Sequence, residues 1–181
     1  MENKGRNKKE VGGSGPGAGS ASPHPSSEGG EWKGPVEMLR GNSQARVDEK
    51  GRLKIPAQFK QVLDEHFENR FFVTSLDGLN ARIYPLEEWT KLEEKFKDNS
   101  FDELKSLVKF KVNLYGGEGE MDGQGRILIP QVLREKAGIK GDVFVLGLTT
   151  YLAVYTHDRA RPLADQEFTP EQKQEIARWG I

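Results

Sequence analysis

Two aspartate–arginine pairs carry the spacing most suited to chemistry. Asp48 and Arg52 lie four residues apart, as do Asp122 and Arg126. An arginine presents a planar fork of donors that fits a carboxylate or a phosphate. Each arginine could therefore lock its own turn by pairing with the nearby aspartate, or reach outward to an anion. Local charge separates the two sites. Residues 38–60 hold Arg40, Arg46, Lys50, Arg52, Lys54 and Lys60 against Asp48 and Glu49, a net of +4. Residues 118–134 hold Arg126 and Arg134 against Glu118, Glu120 and Asp122, a net of −1. Binding to a phosphate backbone needs clustered Lys and Arg, because released counterions drive it. Only the first site offers that cluster. Across the chain the net charge is −1, so any such face must be local.

Enzyme constellations fare poorly. The chain has no cysteine, which excludes thiolate nucleophiles, cysteine zinc sites and disulfides. Gly116-Gly117-Glu118-Gly119 lacks the Lys and Ser/Thr of a phosphate-cradling loop, and Asp122 spoils the dinucleotide pattern. Gly41-Asn42-Ser43-Gln44-Ala45 misses the last glycine of a nucleophile elbow. His24, His66 and His157 are scattered. Glu118, Glu120 and Asp122 alternate and could hold a divalent cation, but a solvated strand face explains them as well. The expectation is a protein without catalytic residues, cofactor, metal or small-molecule substrate.

The elements that position the two pairs come from a repeat. Asp48-Glu49-Lys50-Gly51-Arg52-Leu53-Lys54-Ile55-Pro56 recurs as Asp122-Gly123-Gln124-Gly125-Arg126-Ile127-Leu128-Ile129-Pro130, sharing D-x-x-G-R-x-x-I-P. An internal repeat of this kind decides the fold. The Asp-x-x-Gly segment predicts a turn: Asp can bond the backbone two residues on, and Gly51 and Gly125 supply a positive φ. Strands are expected on either side, and Pro56 and Pro130 open the following helices, where no amide donor is needed.

Residues 1–37 hold a basic start (Lys4, Arg6, Lys8, Lys9) and a Gly/Ser/Pro run, and are expected to be disordered. Residues 38–84 form the first unit: strand, turn, strand, helix, strand, turn, strand. Phe59, Val62, Leu63 and Phe67 predict one face of its helix. Residues 85–110 read as linking helices. Trp89, Leu92 and Phe96 share one face; Ser100 with Glu103 suggests a capping box, and Leu104, Leu107 and Val108 an apolar face beyond it. Packing between the units is the simplest role for Trp89, Phe96 and Phe101. Residues 111–157 form the second unit, with a helix at Gln131–Ala137 ended by Gly138. Phe72 aligns with Phe144 and Ala81 with Ala153, so two residues are lost after the second helix. Residues 158–181 form a polar tail with one helix capped by Thr169 and Gln172; Ile176 and Trp179 could pack on a neighbour.

The first motif, with Leu39-Arg40-Gly41 upstream, resembles the MraZ family of bacterial transcriptional regulators, and the second motif is similar to that family's second motif. The resemblance covers about residues 38–180. It implies an α+β, mostly β fold: two tandem SpoVT-AbrB-type swapped-hairpin units forming a pseudo-two-fold β-barrel with flanking helices. It also implies a cytoplasmic, nucleoid-associated homo-oligomer, commonly an octameric ring. Such rings bind tandem direct repeats of double-stranded DNA upstream of the division and cell-wall gene cluster. Met38, where the family pattern begins, is a candidate native start. Arg40, Lys50 and Arg52 match basic positions the family uses for DNA. Together with the local charge, the expected DNA-binding residues are Arg40, Arg46, Lys50, Arg52 and Lys54. Asp48, Gly51, Asp122, Gly125 and Arg126 are expected to build the motif turns. The alternative is an oligomerising protein-interaction module, antitoxin-like, without specific DNA readout. No run approaches the ~20 apolar residues of a membrane span.

Overall fold

The structure, a computed structural model, describes residues 38–97 and 102–181; the expected tail at 1–37, Ser100 and Phe101 lie outside them. Strand β1 (Leu39–Val47) leads through the first motif turn into β2 (Arg52–Lys54), then helix α1 (Ala57–His66) and the hairpin β3 (Phe71–Thr74), β4 (Ala81–Pro85). Helices α2 (Leu86–Glu94) and α3 (Glu103–Leu114) follow. The second half repeats the scheme with β5 (Gly117–Gly119), β6 (Arg126–Leu128), α4 (Gln131–Ala137), β7 (Gly141–Thr149) and β8 (Leu152–Thr156). Helices α5 (His157–Ala164) and α6 (Pro170–Arg178) end the chain.

Local sequence explains these boundaries. Pro56 and Pro130 stand just before α1 and α4, where their fixed φ suits a helix entry. Gly138 ends α4 in the left-handed region, and the Ile139 amide returns to the Arg134 carbonyl at 2.9 Å. Thr169 and Gln172 form the expected capping box on α6. The start of α3 differs: Asp102 is its N-cap, accepting from the Leu104 and Lys105 amides.

Among the described residues, eight strands form one antiparallel sheet in the order β5-β3-β4-β8-β7-β1-β2-β6. Its two edge strands are consecutive in the chain, separated only by residues 120–125, so the sheet curls into a nearly closed barrel. The halves are interleaved. β1 of the first half pairs with β7 of the second over all nine residues, and β5 of the second half pairs with β3 of the first. Across the waist β2 pairs with β6, placing Leu53 opposite Ile127. Exchanging the two halves maps this cyclic order onto itself, which is the pseudo-two-fold expected of swapped hairpins.

The barrel interior holds Leu39, Val47, Leu53, Ile55, Phe71, Val73, Ile83, Ile127, Ile129, Val143, Val145, Leu152 and Val154, closed by Phe59 and Leu63 of α1 and Leu133 of α4. Burying such side chains stabilises by about 1.5–3 kcal/mol each before entropy is counted. A second apolar cluster lies outside the sheet, where Phe72, Tyr84, Trp89 and Val112 meet.

Two expectations are corrected. Ala81 faces the interior with Ile83, whereas Ala153 pairs with Arg82 on the outer face. Strand alternation therefore aligns Ala81 with Leu152, and a further residue is missing at the tip of the second hairpin. On α3, Val108 packs inward beside Val112, but Leu104 and Leu107 are exposed. The apolar pattern of α3 serves two faces, not one.

Candidate nucleic-acid interface

The motif turns form the most regular feature of the surface. In the first, one Asp48 carboxylate oxygen accepts from the Lys50 amide at 3.0 Å and the Arg52 amide at 2.9 Å. The other oxygen accepts from Arg52 Nε at 2.8 Å and Nη2 at 2.7 Å. The second turn repeats the pattern. Asp122 accepts from the Gln124 and Arg126 amides at 2.9 and 3.0 Å, and from Arg126 Nε and Nη2 at 2.8 and 2.7 Å. Charge-assisted bidentate pairing of this kind fixes geometry as well as adding attraction. Gly51 and Gly125 sit at φ +82° and +72°, a region other residues enter only at a cost.

The turns also hold each other. The Ile55 amide donates to the Gly125 carbonyl at 3.0 Å, and the Ile129 amide to the Gly51 carbonyl at 3.0 Å. Cations cross in the same way. Lys54 Nζ donates to the Gln124 carbonyl, and the Lys60 stem packs on Gly125. Arg134 lies against Gly51 while its Nε donates to the Ile129 carbonyl at 2.9 Å. Arg126 Nη1 comes within 3.9 Å of Asp48 as well as holding Asp122.

Electrostatics follow from these bonds. The Arg126 side chain, aided by the two backbone amides, holds the Asp122 carboxyl down at about 2. The Arg52 amide, then its side chain, lowers Asp48 below the ordinary carboxylate range. Both aspartates stay ionised through the neutral range and pin their arginines in place.

Of the expected residues, the fold brings Asp48, Lys50, Gly51, Arg52, Lys54, Asp122, Gly125 and Arg126 to one place. Arg46 lies one step back on β1, paired with Asp142 at 3.0 Å. Arg40 lies at the opposite end of β1, about 20 Å from Arg46 at ~3.3 Å per residue. It is not part of the cluster around the turns. Arg134 was missed as a participant. Its signal was available: it stands at the position equivalent to Lys60, and both are basic. Around the twin turns the halves differ in what they expose. Lys50 and Lys54 of the first correspond to Gln124 and Leu128 of the second, and Leu128 is 55% exposed.

Glu118 pairs with Arg70 at 3.3 Å, and among the described residues no group of three His, Asp or Glu could hold a metal. Among the described residues, no helix is long and apolar enough to cross a membrane.

Two hairpin units interleaved in one barrel, with paired Asp–Arg turns at its waist, define a swapped-hairpin protein duplicated within a single chain. Comparison with known proteins gives the family. A family model described as "MraZ protein, putative antitoxin-like" matches residues 38–110 and 117–175. The chain is 46% identical over 146 residues to "Transcriptional regulator MraZ" of Acidobacterium capsulatum, covering 80% of this chain and all of that protein. It is 42% identical over 147 residues to the protein of the same name from Koribacter versatilis, again 80% of this chain and all of the relative. The chain belongs to the MraZ family.

Proposed function

We propose that this protein is a sequence-specific DNA-binding transcriptional regulator, and that the twin turns are its DNA face. The relatives' names point to regulation. The observation that carries the DNA face is the β2–β6 pairing, which gathers Lys50, Arg52, Lys54, Lys60, Arg126 and Arg134 on one surface. A two-stranded ribbon can enter the major groove. Lys50 and Lys54, both exposed, reach phosphates. Arg52 is oriented by Asp48 through Nε and Nη2, which leaves Nη1 to donate to a phosphate or a base edge. Arg46, exposed though paired with Asp142, flanks this face on β1, and Arg40, about 20 Å further along the strand, would meet a separate phosphate. The first half leads in this face; the second supplies scaffold and oligomer contacts, with Arg126 at the margin.

A single such patch makes few phosphate contacts and binds weakly. A ring of copies repeats it, and linked sites gain from effective concentration. The operator is then a set of tandem direct repeats upstream of the division and cell-wall gene cluster, bound in the cytoplasm at the nucleoid. A second reading, an interaction module without DNA readout, draws support from the exposed apolar residues of α3.

Fluorescence anisotropy at several salt concentrations distinguishes the two. The probe carries closely spaced direct repeats from upstream of the protein's own gene, against a shuffled duplex. Arg52→Ala is expected to abolish preference for the repeats. Lys50→Ala, which breaks no turn, is expected to lower the slope of log K against log salt by about 0.9; Lys54→Ala also removes the bond to the Gln124 carbonyl, so the same fall in slope is read there with folding checked by circular dichroism. If Arg126→Ala weakens binding as much as Arg52→Ala with folding intact, the halves share the face equally. No preference between probes would sink the regulator reading in favour of the interaction module.

A further inference from the structure

The two motif turns match, but the clefts beside them do not. An open cleft of about 500 Å³ borders the first turn, with Arg46, Asp48, Glu49, Arg134 and Lys140 around it. Its cations come from both halves of the chain. Arg134, half-buried on α4, donates from Nε to the Ile129 carbonyl at 2.9 Å, and its guanidinium leaves no room for a Cβ at Gly51. Lys140, just before β7, is exposed. Among the described residues neither Arg134 nor Lys140 pairs with a carboxylate. Asp48 is taken by Arg52, and Arg46 is answered by Asp142. Two cations without an ion-pair partner therefore border the cleft, and one of them is held in place before anything binds.

The repeat gives each of these positions an equivalent in the other half. Arg46, Asp48 and Glu49 correspond to Glu120, Asp122 and Gly123, and Arg134 to Lys60. Past the helices the second half is two residues shorter, and Phe71 and Val143 both face the interior, so Lys140 corresponds to Glu68. Three cations and two carboxylates, a net of +1, become one cation and three carboxylates, a net of −2. The flanking pairs balance on each side: Asp142 answers Arg46, and Arg70 answers Glu118. The imbalance lies in Arg134 and Lys140 against Lys60 and Glu68. Lys60 is moreover paired with Asp64, where the second half has Gly138 and leaves Arg134 unanswered.

We propose that the cleft at Arg134 and Lys140 seats a phosphate flanking the DNA segment on the turns, so that each copy grips its operator more tightly on one side. This rests on the DNA face proposed above. A duplex laid there carries phosphates past both clefts, at one charge per ~1.7 Å of axis. On one side it meets two unpaired cations. On the other it meets Glu68 and Glu120, with Lys60 already neutralised by Asp64. Opposite charges attract and fix register, and like charges repel. Arg134 gains further from its bond to Ile129, because a fork already fixed loses little freedom when a phosphate arrives. The second half then supplies a flanking grip while the first half leads at the turns.

Duplexes with neutral linkages test the lopsided grip. The direct-repeat probe is made with methylphosphonates in place of phosphates on one side, or on the other, of every repeat, and anisotropy is measured at several salt concentrations. On the unmodified probe Lys140→Ala, a change at an exposed position, is expected to lower the salt slope by about 0.9. Neutral linkages on one side are expected to weaken binding and to abolish that effect of Lys140→Ala. On the other side they are expected to change neither. Glu68→Lys, at the opposite cleft, is expected to make that second side sensitive too. Arg134→Gln is expected to repeat the loss seen in Lys140→Ala, with folding checked by circular dichroism. An unchanged slope in Lys140→Ala, or equal losses from the two sides, overturns the flanking grip and leaves the DNA face standing. No preference of the unaltered protein for the repeats removes the DNA face and the grip with it.

Discussion

The two motif turns agree to about 0.1 Å in their aspartate–arginine bonds, yet the surfaces around them diverge. Where the first half exposes Lys50 and Lys54, the second has Gln124 and Leu128. Where β1 pairs along nine residues, β5 pairs along three, because α3 runs to Leu114 and occupies the preceding chain. The shared motif therefore builds the waist of the barrel. On the reading proposed above, partner recognition falls to the neighbours of the motif, which differ between the two halves. Arg52 and Arg126 illustrate this: each holds its own aspartate through the same bonds, but Arg126 also nears Asp48, and their surroundings make Arg52 the better candidate for DNA.

The strongest test of equality at the waist lies in the core. Leu53 and Ile127 face each other and are both fully buried. Leu53→Ala and Ile127→Ala are each expected to lower unfolding free energy by about 2–5 kcal/mol in urea titration, and the double variant by less than the sum. Unequal losses would show that the halves differ even inside. A smaller effect is expected at the turns. Gly51→Ala and Gly125→Ala should each cost about 1–3 kcal/mol, since alanine must hold the left-handed conformation. If only one is destabilised, the other turn relaxes and the symmetry of the loops is broken.

The smallest effect concerns acid. Both aspartates have folded-state pKa values below the ordinary 3.8, so their contribution is complete only well above that value and is lost as pH falls through the lowered folded values, about 2 for Asp122. Asp48→Asn and Asp122→Asn should each be less stable at neutral pH and show a flatter fall in stability over that window, in urea titrations at stepped pH. An unchanged acid limb in either variant would mean that its aspartate is not pinned as described.

Much of this was legible in the sequence because it rests on short-range chemistry. Asp48-x-x-Gly51-Arg52 specifies its turn through a carboxylate, a glycine and a fork of donors, all within five residues. Pro56, Pro130 and Gly138 mark helix ends for equally local reasons. What escaped depends on the rest of the fold. Ala81 and Ala153 look equivalent as residues, but register along β4 and β8 is set by the length of a hairpin tip. Leu104 and Leu107 have the periodicity of a core face, and periodicity cannot say which of two apolar faces a helix turns inward. Arg134 went unnoticed as part of the site because its place against Gly51 depends on β2 meeting β6.

The pairing of β1 with β7 also bears on how the protein is made. The partner of Leu39 is Thr149, about a hundred residues later in the chain. At ~5–20 residues per second a ribosome leaves β1 without its ladder for several seconds or more. An exposed strand of that length invites association with other nascent chains. Here the strand is Leu-Arg-Gly-Asn-Ser-Gln-Ala-Arg-Val, with large apolar residues only at its two ends. Its polar middle keeps the waiting segment soluble during translation, so the residues that run across the finished surface also protect the unfinished one.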